Sequence, residues 1–225
     1  MRKKRKQREN NIGLNIFSSI SINQKNSETT KTTIMKTDII LAGVGGQGIL
    51  SIAAVIGQAA LQNGLYMKQS EVHGMSQRGG DVQSHLRISD KPVASDLIPL
   101  GSADIIISLE PMEALRYLPY LKKDGWVVTN SKPFENIPNY PEMEEVMNTY
   151  EVLPNKIILD VEQIAKDLGA SRSSNIVMLG AASPYLGIDF SKLQEGIRSI
   201  FGRKGEEVVN ANLKALEAGK AVSIR

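Results

Sequence analysis

The strongest constraint on the fold is a short apolar strand that runs directly into a glycine-rich loop and then into a helix. Residues 38–42 read Asp-Ile-Ile-Leu-Ala, and residues 43–48 read Gly-Val-Gly-Gly-Gln-Gly. In a parallel sheet, this order places backbone N–H groups at the carboxyl edge, where phosphates and cofactors often bind. Gly43, Gly45 and Gly48 fit the dinucleotide pattern G-x-G-x-x-G. The pattern is weak evidence alone, because any tight strand-to-helix turn favours glycine.

A second glycine-rich loop follows the next apparent strand. Residues 73–80 read His-Gly-Met-Ser-Gln-Arg-Gly-Gly. Three glycines expose the backbone around Gln77 and Arg78, and an arginine can bind phosphate or carboxylate through two parallel hydrogen bonds. The pattern predicts either an anion cradle with one fixed cation or an internal ion pair of Arg78 that shapes the loop. A single histidine such as His73 is more often a hydrogen-bonded structural residue than a functional one.

The two loops together supply one candidate set for cofactor binding or for contact with another subunit. Its members are Gly43, Gly45, Gly46, Gln47, Gly48, His73, Ser76, Gln77, Arg78, Gly79 and Gly80. A nicotinamide site would also need an acidic residue at the end of the second strand to bind the ribose. Gln69 and Ser70 occupy that position instead. The residues therefore favour an anion site or a contact with a neighbouring subunit over a nicotinamide site. We predict no catalytic residue and no metal ligand, because the sequence has no nucleophile elbow, Walker A loop or H-E-x-x-H helix.

Strands and helices alternate along the rest of the chain. Hydrophobic periodicity predicts strands at 65–70, 81–89, 103–109, 126–129 and 156–160, and helices at 49–62, from 111, and at 161–168, 175–186, 191–201 and 204–218. This order is typical of α/β proteins. It predicts a three-layer Rossmann-like sandwich with a mainly parallel sheet and a helical C-terminal third.

Local patterns add detail to three of these strands. The period-two alternation at 81–89 predicts an antiparallel strand near an edge, with one solvated face that carries His85. The apolar runs at 103–109 and 156–160 are typical of strands buried on both faces. Asp124-Gly125 is expected to form a turn into the strand that follows it.

Two pairs of residues carry the pattern of a helix start. Asp160 with Gln163, and Ser191 with Gln194, have the spacing of a capping box. In such a box each side chain bonds to the backbone N–H of the other residue. We therefore expect helices to begin just after Asp160 and Ser191.

The positive charge of the chain is concentrated at its start. Residues 1–34 carry eight Lys/Arg against Glu9 and Glu28, a net +6, so the net +3 of the whole chain leaves −3 for residues 35–225. We expect a basic, disordered extension at 1–34 and a single domain at 35–225. The acidic domain offers no nucleic-acid footprint, and no apolar run approaches the ~20 residues that span a bilayer. Neither nucleic acid nor membrane is an expected partner, although residues 1–34 leave a nucleic-acid arm or a targeting signal as alternatives.

The chain contains no cysteine and only two histidines. Disulfides, zinc–thiolate sites and iron–sulfur clusters held by this chain are therefore excluded, since each needs cysteine thiols. The absence of cysteine fits a cytoplasmic protein, because disulfides are rare in that compartment. By itself the chain has the features of a subunit that shapes a site rather than one that breaks bonds.

Longer motifs surround both glycine-rich loops. They are Ile-Leu-Ala-Gly-Val-Gly-Gly-Gln-Gly-Ile at 40–49, Glu-Val-His-Gly-Met-Ser-Gln-Arg-Gly-Gly at 71–80 and His-Leu-Arg-Ile-Ser at 85–89, with later segments at 160–165, 175–180 and 212–219. Together they resemble the gamma-type domain of the 2-oxoacid:ferredoxin oxidoreductase family, and within it the indolepyruvate type. The resemblance covers about residues 35–219.

The resemblance implies oxidative decarboxylation: a 2-oxoacid such as indolepyruvate or another arylpyruvate, with coenzyme A and oxidised ferredoxin, gives acyl-CoA, carbon dioxide and reduced ferredoxin. In that family thiamine diphosphate and the [4Fe–4S] clusters belong to other domains. It therefore implies a large alpha subunit that carries both groups, and no activity of this chain alone. Two alternatives stay open, a pyruvate or ketoisovalerate version of the same complex and a stand-alone nucleotide-binding Rossmann protein.

Overall fold

The computed structural model describes residues 35–74, 79–135 and 137–224, and these form six strands and seven helices. The strands are β1 (Lys36–Val44), β2 (Tyr66–His73), β3 (Asp81–Ser89), β4 (Ala103–Ser108), β5 (Leu121–Asn130) and β6 (Lys156–Leu159). The helices are α1 (Ile49–Gln62), α2 (Pro111–Arg116), α3 (Met143–Glu151), α4 (Val161–Asp167), α5 (Ser174–Ala182), α6 (Phe190–Phe201) and α7 (Glu206–Ser223). The extension expected at residues 1–34 lies outside the described residues.

The strands form one sheet in the order β2-β3-β1-β4-β5-β6. β1, β4, β5 and β6 are parallel neighbours, whereas β3 runs antiparallel to both β1 and β2. The prediction of a mainly parallel α/β sheet is confirmed, as is the antiparallel direction of β3. Within the described ranges, no helix is both long and apolar enough to cross a bilayer.

Apolar side chains fill both faces of the central strands. β1 and β4 are almost entirely buried, as their apolar runs predict. Helices α1, α4 and α5 pack on one face, around Ile39 and Leu41, while α2 and α3 cover the other face, around Ile40 and Ile106. Helices α6 and α7 pack on the outer side of α1 and α5. The three-layer arrangement and the helical C-terminal third are therefore confirmed.

The solvated face predicted for β3 is wrong. β3 does lie near the edge of the sheet, between edge strand β2 and β1, but residues 90–102 cover its polar side. His85 is buried there: its Nδ1 accepts a hydrogen bond of 3.0 Å from the Ile98 N–H, and its ring packs edge-on against Tyr120. Burial lowers the pKa of His85. The histidine is therefore a structural acceptor that holds the covering loop.

Two expectations about the far half of the sheet are also corrected. Asp124-Gly125 does not form a turn but lies inside β5, where the pairing with β4 shifts register between Ala103 and Ile105. The resulting bulge absorbs the extra residues of β5. β6 is an edge strand in which only Leu159 is fully buried, because no strand covers its outer side within the described residues.

The two predicted helix starts have different outcomes. Asp160 caps α4, since its Oδ1 accepts a hydrogen bond of 2.9 Å from the Gln163 N–H. The Gln163 side chain donates forward to Asp167 instead of back to the cap, so the box is not reciprocal. The Ser191 prediction is wrong, because α6 begins at Phe190 with Asp189 as its N-cap, so Ser191 lies inside the helix.

Candidate functional site

The structure brings the two glycine-rich loops together at the carboxyl end of β1. The Gly45 N–H donates to the Gly80 carbonyl at 2.8 Å, and the Gly79 N–H donates to the Gly45 carbonyl at 3.3 Å. The antiparallel pairing of β1 with β3 causes this contact, since it places Val44 opposite Asp81. Ser76, Gln77 and Arg78 of the predicted set lie outside the described residues.

Glycine is required at two positions of the first loop. Gly46 has φ 103° and Gly48 has φ 91°, both in the left-handed region that favours glycine. Gly48 also meets Asn175, whose Nδ2 donates to the Gly48 carbonyl at 3.1 Å. A Cβ on Gly48 would lie 2.6 Å from that nitrogen. The loop is therefore fixed both by its own turn and by the start of α5.

Gln47 closes the crevice between the carboxyl ends of β1 and β4. Its Oε1 accepts a hydrogen bond of 2.7 Å from the Val44 N–H, and its Nε2 donates to the Leu109 carbonyl at 3.0 Å. In doubly wound folds this switch point is where a dinucleotide pyrophosphate binds. Here the Gln47 side chain already occupies the Val44 N–H and the Leu109 carbonyl at this point. In addition, β3 lies between β2 and β1 and so separates the end of β2 from β1. The geometry therefore disfavours the stand-alone nucleotide-binding alternative.

A mainly apolar cavity of about 360 Å³ lies on one side of the first loop. It is lined by Val44, Gly45, Gly46, Gly48, Ile49, Leu50, Glu71, His73 and Val82. His73 and Glu71 are exposed at its rim, and Leu50 is 49% exposed. The cavity thus offers an apolar floor with one histidine and one carboxylate beside it.

A larger polar groove of about 950 Å³ lies on the other side of the same loop. Residues 46–48, 51, 169–175, 201, 204, 207, 208, 211 and 212 line it. Arg172 and Lys204 are its exposed cations, against Glu207 as the single carboxylate among these lining residues. Ser173, which is only 4% exposed, lies on its wall beside Ser171 and Ser174. The groove therefore presents hydroxyl groups together with positive charge.

This polar groove was not predicted from the sequence. Its walls come from three separate stretches of the chain, which only the packing of α5 against α7 brings together. One signal was available, the run Ser-Arg-Ser-Ser-Asn at 171–175 at the start of a helix. Such a run combines an exposed cation with hydroxyls and helix N–H groups, a pattern that favours anions.

Two buried carboxylates lie next to the loop, at the start of α2. Glu110 caps this helix through the Glu113 N–H at 2.8 Å and also accepts a hydrogen bond from the Tyr140 hydroxyl. Glu113 pairs with Arg116 at 3.0 Å, and burial raises the pKa of Glu113. The contact with Glu110 holds Tyr140 against α2, and Glu113 is paired within the helix, so both carboxylates have a structural role. No group of three or more potential metal ligands occurs in the described part of the chain.

Comparison with known proteins places this geometry in a family. The family model described as pyruvate ferredoxin/flavodoxin oxidoreductase matches residues 38–222. The chain is 38% identical over 194 residues to indolepyruvate oxidoreductase subunit IorB of Archaeoglobus fulgidus, covering 82% of this chain and 94% of the relative. It is 28% identical over 180 residues to the pyruvate/ketoisovalerate oxidoreductases common subunit gamma of Pyrococcus furiosus, covering 78% and 92%.

The fold also matches a solved structure of 2-oxoglutarate:ferredoxin oxidoreductase from Magnetococcus marinus, with 2-oxoglutarate, coenzyme A and succinyl-CoA bound to that protein. The TM-score is 0.66 at 25% identity, and the match covers 84% of this chain. It spans only 31% of that longer chain. The resemblance predicted from the two glycine-rich loops is confirmed, and the chain belongs to the pyruvate ferredoxin/flavodoxin oxidoreductase family.

Proposed function

We propose that the chain is the small subunit of an indolepyruvate:ferredoxin oxidoreductase. The complex decarboxylates an arylpyruvate oxidatively, transfers the acyl group to coenzyme A and passes the electrons to ferredoxin. The observation that carries the choice of substrate is the match to the indolepyruvate relative. The identity is 38% over 82% of this chain and 94% of the relative, against 28% for the pyruvate/ketoisovalerate subunit. The pyruvate or ketoisovalerate version is the second candidate.

The chemistry of the chain requires a companion subunit. Ferredoxin reduction needs an electron carrier, and iron–sulfur clusters are held mainly by cysteine thiolates. This chain has no cysteine. The clusters and thiamine diphosphate therefore belong, in this proposal, to a large alpha subunit, and the small subunit shapes the surface at which that subunit and coenzyme A meet.

The loop at residues 43–48 has a cavity on one side and a groove on the other, and we assign one to the large subunit and the other to coenzyme A. We assign the apolar cavity with His73 and Leu50 to contact with the large subunit, because an exposed leucine beside an apolar floor fits a protein surface. We assign the polar groove to the phosphates of coenzyme A, which are anionic and match Arg172 and Lys204. The coenzyme A bound to the solved relative supports this choice of ligand.

Reconstitution tests the function. We expect the purified full-length chain to show no 2-oxoacid-dependent ferredoxin reduction, and the chain mixed with its large subunit to reduce ferredoxin with indolepyruvate and coenzyme A. Absorbance of ferredoxin and acyl-CoA formation are the two measurements. Turnover by the small chain alone would contradict the proposal. Faster turnover of pyruvate or ketoisovalerate would select the second candidate, and submicromolar NAD or ATP binding by the small chain would select a stand-alone nucleotide-binding protein.

The polar groove is tested by removing its two cations. In the assembled complex, we expect Arg172→Ala combined with Lys204→Ala to raise the KM for coenzyme A about tenfold or more, since charged hydrogen bonds contribute about 1.5–3 kcal/mol each. The KM for the 2-oxoacid should not change. The matched control is Lys166→Ala with Lys214→Ala, which removes the same charge from exposed positions outside the groove. An equal effect of both double variants would show that only net charge matters.

A further inference from the structure

β2 leaves one edge of the sheet without a strand partner among the described residues. Its other edge pairs with β3 over its whole length, from Tyr66 opposite Ser89 to His73 opposite Val82, with no register shift. Natural edge strands are usually protected by proline, by a bulge or by a free charge. β2 has no proline and no bulge. Of its two charged residues, Lys68 donates back to the Ala94 carbonyl at 2.9 Å, and Glu71 is exposed.

The exposed apolar residues of β2 lie on one face. Residues directly opposite each other in an antiparallel pair share a face. Met67 is opposite Ile88 and therefore lies on the side covered by α1. By alternation, Tyr66 and Val72 lie on the other face, where they are 51% and 55% exposed.

We propose that β2 pairs antiparallel with β2 of a second copy of this chain. The two-fold axis passes between the two strands, midway between the Gln69 residues of the two copies. A two-fold axis perpendicular to a sheet keeps each face on its own side. Residues that lie opposite each other must then be an even number of positions apart along the strand. One residue of β2 must therefore lie opposite the same residue of the other copy. Centring the axis on Gln69 sets Tyr66 of each copy opposite Val72 of the other.

The neighbouring registers are less favourable. An axis at Lys68 would oppose two lysines, and like charges directly opposite each other are destabilising. An axis at Ser70 would set Lys68 of each copy opposite Val72 of the other. Tyr66 would then have no strand residue opposite it, because β2 of the other copy ends at His73. Only the Gln69 register forms two aromatic–β-branched pairs, a combination that stabilises cross-strand contacts. This self-complementarity identifies the occupant of the edge as a second copy.

The loop over the same face adds apolar surface beside the edge. Arg87 Nη1 donates to the Leu97 carbonyl at 2.9 Å and so holds residues 94–97 against β2 and β3. The Leu97 side chain is 57% exposed. With Tyr66 and Val72, it extends the surface that a second copy would cover.

Cysteine cross-linking tests this pairing in the full-length chain, alone and assembled with its large subunit. Because the chain has no cysteine, Gln69→Cys introduces a single thiol. Opposed Cα atoms in an antiparallel pair are about 4.5–5.5 Å apart, which suits a disulfide. We expect mild oxidation to convert Gln69→Cys into a covalent dimer on a non-reducing gel. The control, Glu71→Cys on the same face, would place its two Cα atoms about 14 Å apart and should stay unlinked.

A second measurement does not depend on the introduced thiol. We expect the unmodified chain to sediment as a dimer, and Val72→Lys to shift it to the monomer with an unchanged circular dichroism spectrum. A monomeric unmodified chain, equal cross-linking of both cysteine variants, or protection of the Gln69→Cys thiol only when the large subunit is added would each overturn the proposal. None of these readouts uses the oxidoreductase activity, so the pairing and the proposed function can fail separately.

Discussion

Replacing Gly219 by alanine should destabilise the fold by about 2–3 kcal/mol, because the change forces α5 and α7 apart. A Cβ on Gly219 would lie 1.9 Å from the Val177 carbonyl oxygen, and one on Gly180 would lie 2.1 Å from the Leu216 carbonyl oxygen. Both contacts are with backbone atoms, which cannot rotate away as a side chain can. The helices therefore approach each other closely only because glycine stands at both positions.

Helix propensity alone predicts the opposite sign. Alanine is favoured over glycine inside a helix by about 1 kcal/mol. A net loss of stability in Gly219→Ala would therefore show that the steric cost of the added Cβ exceeds the gain in helix propensity. Since domains of this size are stable by only about 5–15 kcal/mol, the loss should be evident as a lower denaturant midpoint of the full-length chain.

Gly202 provides the matched control. It follows α6, has φ −53°, and a Cβ there would meet nothing within 4 Å. We expect Gly202→Ala to change the free energy of unfolding by less than about 0.5 kcal/mol. If Gly219→Ala were as stable as Gly202→Ala, the close contact between α5 and α7 would be disproved.

The elements that the sequence predicts correctly are those with local signals. The apolar spacing over residues 49–62 predicts α1 at the observed bounds. The run at 103–109 predicts a doubly buried strand, and β4 is one. Pro111 stands at the first position of α2, where its missing N–H has no effect on the helix.

The errors arise where distant residues decide the outcome. The alternation in β3 predicts a polar face correctly but not the loop that covers it, because the Ile98 N–H reaches His85 only in the folded chain. Each glycine-rich loop is visible in the sequence, whereas their contact depends on β3 pairing with β1. The polar groove lacks any local pattern that includes both Arg172 and Lys204, so sequence periodicity could not predict it.

Arg87→Ala should have an even larger effect on stability, about 3–5 kcal/mol, because it leaves a buried carboxylate without its main partner. The Asp38 side chain is fully buried, and Arg87 binds it through Nε at 2.8 Å and Nη2 at 3.0 Å. The remaining cation, Lys36, is 47% exposed and contacts one oxygen. Arg87 also donates to the Ser95 carbonyl at 3.1 Å, so amides of residues 94–98 should exchange faster with solvent in the variant.

Two further variants separate the charge from the geometry. Arg87→Lys keeps the positive charge but loses the bidentate fork, so we expect a free energy of unfolding between those of Arg87→Ala and the unmodified chain. Combining Asp38→Asn with Arg87→Met removes both charges and should restore part of the loss, since no unpaired carboxylate remains buried. Equal destabilisation by Arg87→Ala and by this double variant would show that Arg87 acts through its contacts with residues 95 and 97. The ion pair with Asp38 would then contribute little to stability. The main structural role of Arg87 would be to hold the loop that covers His85.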